Sequence, residues 1–303
     1  MPRRTARRTL SALLACGIAL GSGAADALEL LMPAYFYPSA NPAQSQWDEM
    51  QSALAAGVAV TAIMNPDNGP GAARNADYVN AVDAFRAAGG RVLGYVYTCY
   101  GNNQCVEPQT RSAAAVVADA QRYASWYAVD GIFLDEMGGS ATSLPFYTEV
   151  SQALRASHAG WRLVGNPGTA IPEANADLVD TVVTFEQGRA DYSQATSEPW
   201  MLTAPPQRQA HLHYNVGSEA QMRALLAEAV ARRAGSVYIT DDRYVPGDAT
   251  QPNPFDQLPG YWAAEVAAVK ALSAVPEPAT TALWAAAVAA GLLIVRRRQR
   301  VQG

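Results

Sequence analysis

Short apolar runs alternate with longer amphipathic stretches between residues 28 and 273. The runs are rich in Val, Ile, Leu and Tyr and are bounded by Gly, Pro or Asn, which is typical of buried strands. Eight strands are predicted, at 28–38, 58–65, 91–98, 131–137, 162–166, 181–186, 209–216 and 236–241. Helical patterns lie between them, at 46–56, 76–88, 110–127, 144–157, 218–234 and 255–272, with at most a short helix at 171–178.

This strict alternation predicts parallel strands, because each helix returns the chain to the same end of the sheet. Eight such units in residues 28–273 match a single (β/α)8 TIM barrel, an α/β fold. Ser218 is expected to cap its helix and Gly235 to close it. A doubly wound open sheet is the alternative, but it usually has a Gly-rich phosphate loop after the first strand. Here that position reads Tyr-Pro-Ser-Ala-Asn-Pro.

Both ends of the chain are predicted to lie outside this domain. Residues 1–27 join four arginines to an apolar run and an A-x-A-like site at Ala25-Asp26-Ala27, which is typical of a secretory signal peptide. Residues 274–278 form a linker with the sequence Val-Pro-Glu-Pro at its end. Residues 279–303 hold an uncharged, mostly apolar stretch and an arginine cluster, just long enough for a transmembrane helix with its arginines in the cytoplasm.

The order of these last three parts resembles a PEP-CTERM sorting signal. The resemblance implies an exosortase-type protease as a partner, and export to the cell envelope, surface or extracellular matrix of a bacterium. Membrane contact would then occur only through the C-terminal helix before processing. A plain C-terminal anchor is the alternative.

The charge of the domain limits its partners. Residues 28–273 hold 25 of the 27 acidic residues and 14 of the 22 basic ones, a net charge of −11. Such a surface argues against nucleic acid or anionic lipid as a partner and suits a cationic one. Cys99 and Cys105 lie six residues apart in an exported chain, which predicts a disulfide. Two cysteines and three scattered histidines predict no metal site.

Polar residues follow the apolar runs where the strands end. The C-terminal ends of barrel strands share one rim, which carries the active site. Asp135 and Glu136 end the fourth strand and Glu186 ends the sixth, although acids are poor strand formers and costly to bury. Other strand ends supply Tyr37, Asn65, Tyr95, Tyr97, Asn166 and His213. Carboxylates, amides and aromatic rings together are typical of a carbohydrate site, although each of these side chains could also serve packing or a turn.

Cleavage of a glycosidic bond requires two carboxyl groups. The ends of strands four and six should lie roughly 10 Å apart. Inward-leaning side chains could then form either the close pair of a retaining enzyme or the wider pair of an inverting one. Asp135 and Glu136 point to opposite faces of an ideal strand, so only one of them is expected to face the barrel axis.

Six segments together resemble the spherulation-specific family 4 (spherulin-4-like) proteins, at 33–38, 63–71, 92–98, 131–136, 166–168 and 184–186. The resemblance implies a (β/α)8 barrel related to glycoside hydrolases that cut α-1,4-linked N-acetylgalactosamine in fungal biofilm polysaccharide. It also implies that Asp135, Glu136 and Glu186 are the acidic site residues. The loop 99–105 is longer than the Tyr-Gly turn expected of the family.

We therefore expect an exported, endo-acting glycoside hydrolase that cleaves an α-linked (N-acetyl)galactosamine-type exopolysaccharide without a cofactor. Asp135 would be the nucleophile, Glu186 the general acid/base and Glu136 a supporting carboxylate. A non-catalytic carbohydrate-binding protein of the biofilm matrix, on the same barrel, is the main alternative. A polysaccharide deacetylase or lyase is a weaker one, because a metal-dependent deacetylase should show a His/Asp ligand cluster.

Overall fold

Eight parallel strands close into one barrel in chain order, as the alternation predicts. The computed structural model describes residues 27–39, 41, 45–101, 111–245, 247–250 and 253–273. The strands are β1 (Glu29–Ala34), β2 (Ala59–Met64), β3 (Arg91–Tyr97), β4 (Gly131–Asp135), β5 (Arg162–Asn166), β6 (Thr181–Gly188), β7 (Gln209–Tyr214) and β8 (Ser236–Ile239). β8 closes the barrel onto β1, with Ser236 opposite Glu29. The (β/α)8 fold is thus confirmed.

In the described ranges, seven α-helices lie between or after these strands. They are α1 (Gln46–Ala55), α2 (Ala76–Ala87), α3 (Ala113–Trp126), α4 (Leu144–Ser157), α5 (Glu173–Ala176), α6 (Glu219–Ala231) and α7 (Trp262–Ser273). Three short 3-10 turns that the sequence pattern did not predict join β6 to β7, at Arg189–Gln194, Pro199–Leu202 and Pro206–Arg208. Within the described ranges no helix is long and apolar enough to span a bilayer. The predicted signal peptide, linker and C-terminal segment lie outside those ranges.

The ends of α6 show one correct and one wrong prediction. The Ser218 side chain caps the helix by accepting a hydrogen bond from the Gln221 N–H. The helix ends at Ala231, however, and it is Arg233 that takes the left-handed conformation, with φ of 67°. Gly235 is needed for close approach instead, because a Cβ there would lie 2.5 Å from the backbone carbon of Pro206.

A polar layer lies across the N-terminal end of the barrel. The Glu29 carboxylate accepts hydrogen bonds from Arg162 Nη1 at 2.7 Å, from Ser236 Oγ at 2.9 Å and from Thr61 Oγ1. Arg162 also donates to Thr181 Oγ1 at 3.0 Å. These bonds connect β1, β2, β5, β6 and β8. They also give both charged groups of the ion pair, the Glu29 carboxylate and the Arg162 guanidinium, further hydrogen-bond partners.

The candidate site lies at the other end of the same barrel. On β5, Arg162, Val164 and Asn166 are alternate residues and therefore share one face of the strand. Val164 is completely buried between the two polar ends. A strand rises about 3.3 Å per residue, so Arg162 and Asn166 are separated by about 13 Å along the strand.

Candidate active site

The two acids predicted on strands four and six meet on a single amide group. Asp135 is the last residue of β4 and lies opposite Asn166, the last residue of β5. The Asn166 Nδ2 atom donates one hydrogen bond to Asp135 Oδ1 at 2.6 Å and another to Glu186 Oε2. Each hydrogen bond spans at most about 3 Å, so the two carboxylate oxygens lie within about 6 Å of each other.

The backbone fixes the orientation of this amide. Asn166 Oδ1 accepts a hydrogen bond from the Gly168 N–H at 3.0 Å, so Nδ2 must face the acids. The Gly168 carbonyl in turn accepts from the Glu186 N–H at 3.1 Å. Gly168 has φ of +66°, which suits glycine. The turn after β5 therefore fixes both the Asn166 amide and Glu186, one of the two acids that accept hydrogen bonds from it.

A bulge in β6 aims Glu186 at the barrel axis. The pairing of β6 with β7 shifts register between Val183 and Phe185. Thr184 bonds to His211 Nε2 at 3.1 Å, and the Phe185 ring lies 4.6 Å from Tyr192, so both side chains lie on the outer face of the strand. A bulge places two successive residues on one side. The following residue, Glu186, therefore turns inward.

Burial and charge give the two acids different proton affinities. Burial, and then the charge of Asp135, raise the pKa of Glu186 from 4.5 to about 8, against the lowering effect of the Asn166 hydrogen bond. Burial also raises the pKa of Asp135, but hydrogen bonds from Tyr95 and Asn166 oppose it. The Tyr95 hydroxyl donates to Asp135 Oδ2 at 2.7 Å. Near neutral pH, Glu186 thus holds a proton. Asp135, which accepts hydrogen bonds from both Tyr95 and Asn166, is the better-stabilised carboxylate of the pair.

Glu136 leaves the strand instead of continuing it. Its φ of 53° is left-handed, and β4 ends one residue earlier. Its carbonyl accepts from the Tyr100 N–H at 2.7 Å and from Thr98 Oγ1 at 2.9 Å. Its charge is the largest electrostatic cause of the raised pKa of Tyr100. The Glu136 carboxylate therefore lies on the β3 side of the mouth, whereas the Asp135 carboxylate faces the Asn166 amide.

On the β1 side of the mouth, Tyr35 lies near Asp135 and Glu186, and the predicted Tyr37 does not. The pKa of Tyr35 is raised well above its usual value by burial and by the charges of Asp135 and Glu186. Its ring packs edge-on against Tyr95 with centroids 5.5 Å apart. Tyr37 is exposed and donates its hydroxyl to Asp77 on α2 at 2.6 Å. β1 ends at Ala34, so Tyr37 lies three residues beyond the strand, where its hydroxyl reaches α2.

The other predicted sugar-binding residues separate into three environments. Asn65 accepts a hydrogen bond from the Gly69 N–H at 2.9 Å, which shapes the loop after β2. The Tyr97 ring lies 4.4 Å below the guanidinium of Arg111 at the rim. His213 does not lie at the mouth, which corrects the sequence prediction.

His213 is completely buried on the outer face of β7, with its ring 4.9 Å from Phe185 and 4.5 Å from Tyr192. Burial lowers its pKa to about 3, so it stays neutral. The neighbouring Tyr214 points the other way, with its ring 6.4 Å from Phe255, which also contacts Tyr35. Burial and the charge of Glu186 raise the pKa of Tyr214 to about 12. Tyr35 and Tyr214 also stand at predicted strand ends, but the sequence did not favour them over Tyr37 and His213.

Cys99 is buried and disulfide-bonded. Cys105 lies outside the described residues, so its pairing with Cys99 stays a prediction. Across the described part of the chain, no three His, Cys, Asp or Glu side chains form a group able to hold a metal ion.

The closed parallel barrel, with an acid pair at its carboxyl rim, defines a (β/α)8 protein with its candidate site at the strand ends. The chain belongs to the spherulation-specific family 4, whose model matches residues 29–269. Spherulin-4 of Physarum polycephalum is 30% identical over 258 residues, which cover 82% of this chain and 72% of that protein.

Two solved structures show the same fold. Sph3 of Aspergillus clavatus, in complex with GalNAc, has a TM-score of 0.65 at 21% identity and covers 80% of this chain and 98% of its own. Active domain 2 of a Pyrococcus furiosus chitinase, complexed with chito-oligosaccharides, has a TM-score of 0.50 at 13% identity and covers 83% and 99%.

Proposed function

We propose that the protein is a retaining, endo-acting glycoside hydrolase. The observation that carries this proposal is the single Asn166 nitrogen that bonds to both Asp135 and Glu186. Retaining enzymes hold their two carboxyl groups about 5–5.5 Å apart, whereas inverting enzymes need about 6.5–9.5 Å to admit a water molecule. Two acids bridged by one nitrogen fit the closer arrangement.

The different proton affinities of the acids assign the roles. In the first step, protonated Glu186 gives its proton to the glycosidic oxygen as the Asp135 carboxylate attacks the anomeric carbon. The bond between that carbon and the leaving oxygen breaks, and a glycosyl ester of Asp135 forms. Esterification removes the charge that raised the pKa of Glu186. Glu186 can then take a proton from water, which attacks the anomeric carbon and releases Asp135.

Two observations support an amino-sugar polymer as the substrate. Sph3 has the same fold and was solved in complex with GalNAc. The net charge of −11 over residues 28–273 suits a polymer that carries free amino groups. An α-linked polymer of galactosamine and N-acetylgalactosamine fits both. The partly exposed tyrosines at the mouth, Tyr35 and Tyr214, supply rings on which sugar faces can pack.

We also propose that the protein is exported and sorted to the cell surface. The signal-like residues 1–27 and the PEP-CTERM-like residues 274–303 are the support for this. Mass spectrometry of the native protein tests it. Termini near residue 28 and within the C-terminal segment are expected, and a chain that retains both ends would contradict the proposal.

The direct test compares purified wild type with Asp135→Asn and Glu186→Gln on α-1,4-linked galactosamine polymers. New reducing ends are expected with wild type, with a loss of at least about 10³-fold in each variant because either substitution removes a reacting group. Glu219→Gln on α6 is a matched control at an exposed carboxylate. NMR of the first product should show the α anomer. Equal activity in all four proteins would refute the assignment, and binding without cleavage would favour a carbohydrate-binding protein.

A further inference from the structure

Three residues with unusual backbone conformation meet beside the acids. Cys99, Tyr100 and Glu136 have φ values of 53°, 57° and 53°. This left-handed region is disfavoured for residues that carry a Cβ. Such conformations persist where the surrounding structure imposes them, and they are concentrated at ligand sites. The turn Cys99–Gly101 is therefore a candidate for a functional element.

The surroundings hold this turn closely against the end of β4. The Tyr100 N–H donates to the Glu136 carbonyl at 2.7 Å, and the Gly101 N–H donates to the Thr98 carbonyl at 3.1 Å. On the other side, a Cβ at Gly138 would lie only 2.1 Å from the Tyr100 carbonyl oxygen. The disulfide at Cys99 adds a covalent restraint. The position of Tyr100 is thus set from both sides.

The Tyr100 side chain lies at the mouth. It is partly exposed to solvent, so a ligand can reach it. Burial raises the pKa of its hydroxyl, followed by the charges of Glu136, Asp135 and Glu186 in that order. The Tyr100 N–H bonds to the carbonyl of Glu136, the residue after Asp135, so Tyr100 lies next to the reacting centre. It lies on the β3 side of that centre, whereas Tyr214 comes from β7 on the far side of Glu186.

We propose that Tyr100 is a substrate-binding residue, whose ring packs against the sugar unit beside Asp135 and whose hydroxyl bonds to it. The left-handed turn serves to present this side chain. This inference rests on the proposed function and deepens it, because it assigns a sugar subsite to the turn Cys99–Gly101. The loop 99–105, which begins with this turn, is longer than the resemblance to the family implies.

Tyr100→Gly separates binding from folding. Glycine adopts φ of +57° without strain, so the variant should melt at the same temperature as its parent or a few degrees higher. Loss of the ring should nevertheless weaken binding at least tenfold. Tyr100→Phe keeps the ring and should weaken binding only about threefold. The matched control is Arg233→Gly, with φ of 67° at the end of α6, which should leave the affinity unchanged.

The affinities are measured by titration calorimetry with an α-1,4-linked N-acetylgalactosamine pentasaccharide, in a Glu186→Gln background that prevents cleavage. A Tyr100→Gly variant that melts no lower than its parent and binds at least tenfold more weakly supports the subsite. Affinity within twofold of the parent, or a loss of affinity matched by a lower melting temperature, overturns it.

Hydrolysis by wild type is scored separately. Wild type that binds the pentasaccharide without cleaving it refutes hydrolysis, while the affinities of the variants in the Glu186→Gln background still decide the role of Tyr100. Wild type that neither binds nor cleaves the pentasaccharide refutes both.

Discussion

Glu186→Gln should stabilise the fold while it abolishes activity, and the gain should depend on pH. The substitution keeps the shape of the side chain and leaves an oxygen that can accept the Asn166 hydrogen bond. An acid with a folded pKa above its unfolded value binds more protons when folded, so the stability it contributes is present at low pH and lost as the pH rises. For Glu186 this loss runs from about pH 4.5 to about pH 8.

The magnitude follows from the displacement of that pKa. A difference of about 3.5, at about 1.36 kcal/mol per unit, gives at most about 5 kcal/mol above pH 8. At pH 7 the same relation gives about 3 kcal/mol, and at pH 5 about 1 kcal/mol. Glu186 is partly exposed, so solvent screening should reduce these values to about half.

Urea unfolding of wild type and Glu186→Gln at pH 5 and pH 7 measures this difference. We expect the advantage of Glu186→Gln to grow by about 1–2 kcal/mol between the two pH values. Glu219→Gln is the control, because a change at an exposed carboxylate should stay within about 0.5 kcal/mol. An advantage that is the same at both pH values, or a less stable variant at pH 7, would refute the reasoning.

Three other substitutions test the two ends of the barrel. Tyr95→Phe removes a hydrogen bond to Asp135 worth about 1.5 kcal/mol, which raises the pKa of that acid. The acidic limb of the pH profile of kcat/KM should therefore move up by about one pH unit, and an unmoved limb would contradict this. Arg162→Met leaves the Glu29 carboxylate without its ion-pair partner and should lower the free energy of unfolding in urea by about 3 kcal/mol, with kcat/KM nearly unchanged. A variant as stable as wild type would contradict the role of that pair. Gly235→Ala places a Cβ against the loop before β7 and should cost about 2 kcal/mol, so a variant with the wild-type melting temperature would show that the loop can move aside.

Local patterns in the sequence were sufficient for the fold. Each strand is an apolar run with its own boundary signals, and several helices carry recognisable caps, so most elements could be placed within a few residues. The last helix is the exception, because it begins at Trp262 and was predicted from 255. Asp135 and Glu186 could be predicted because an acid at the end of an apolar strand has no role in the core. Asn166 was predicted for a different reason, as a sugar ligand. Its bridging role depends on the position of β5 between β4 and β6 and on the turn that orients the amide.

The inner and outer faces of the strands could not be read in the same way. Strands of a parallel barrel are buried on both faces, so apolar residues do not reveal which alternate set points inward. His213 and Tyr214 are neighbours, and the sequence-based choice fell on the wrong one. In β6 the bulge at Thr184 reverses the alternation before Glu186, and no local signal marks it. On β1 the strand ends before Tyr35, which separates Tyr35 from Tyr37.

The residue after Asn166 protects the bridging amide from spontaneous chemical degradation. Asparagine deamidates spontaneously when the backbone nitrogen of the next residue, freed of its hydrogen, attacks the side-chain carbonyl and closes a succinimide ring. Pro167 has no N–H, so this route is closed at Asn166. Conversion of the amide to a third carboxylate would replace the shared donor with an acceptor between two acids. The proline thus protects the one group on which both acids depend from slow ageing of the chain.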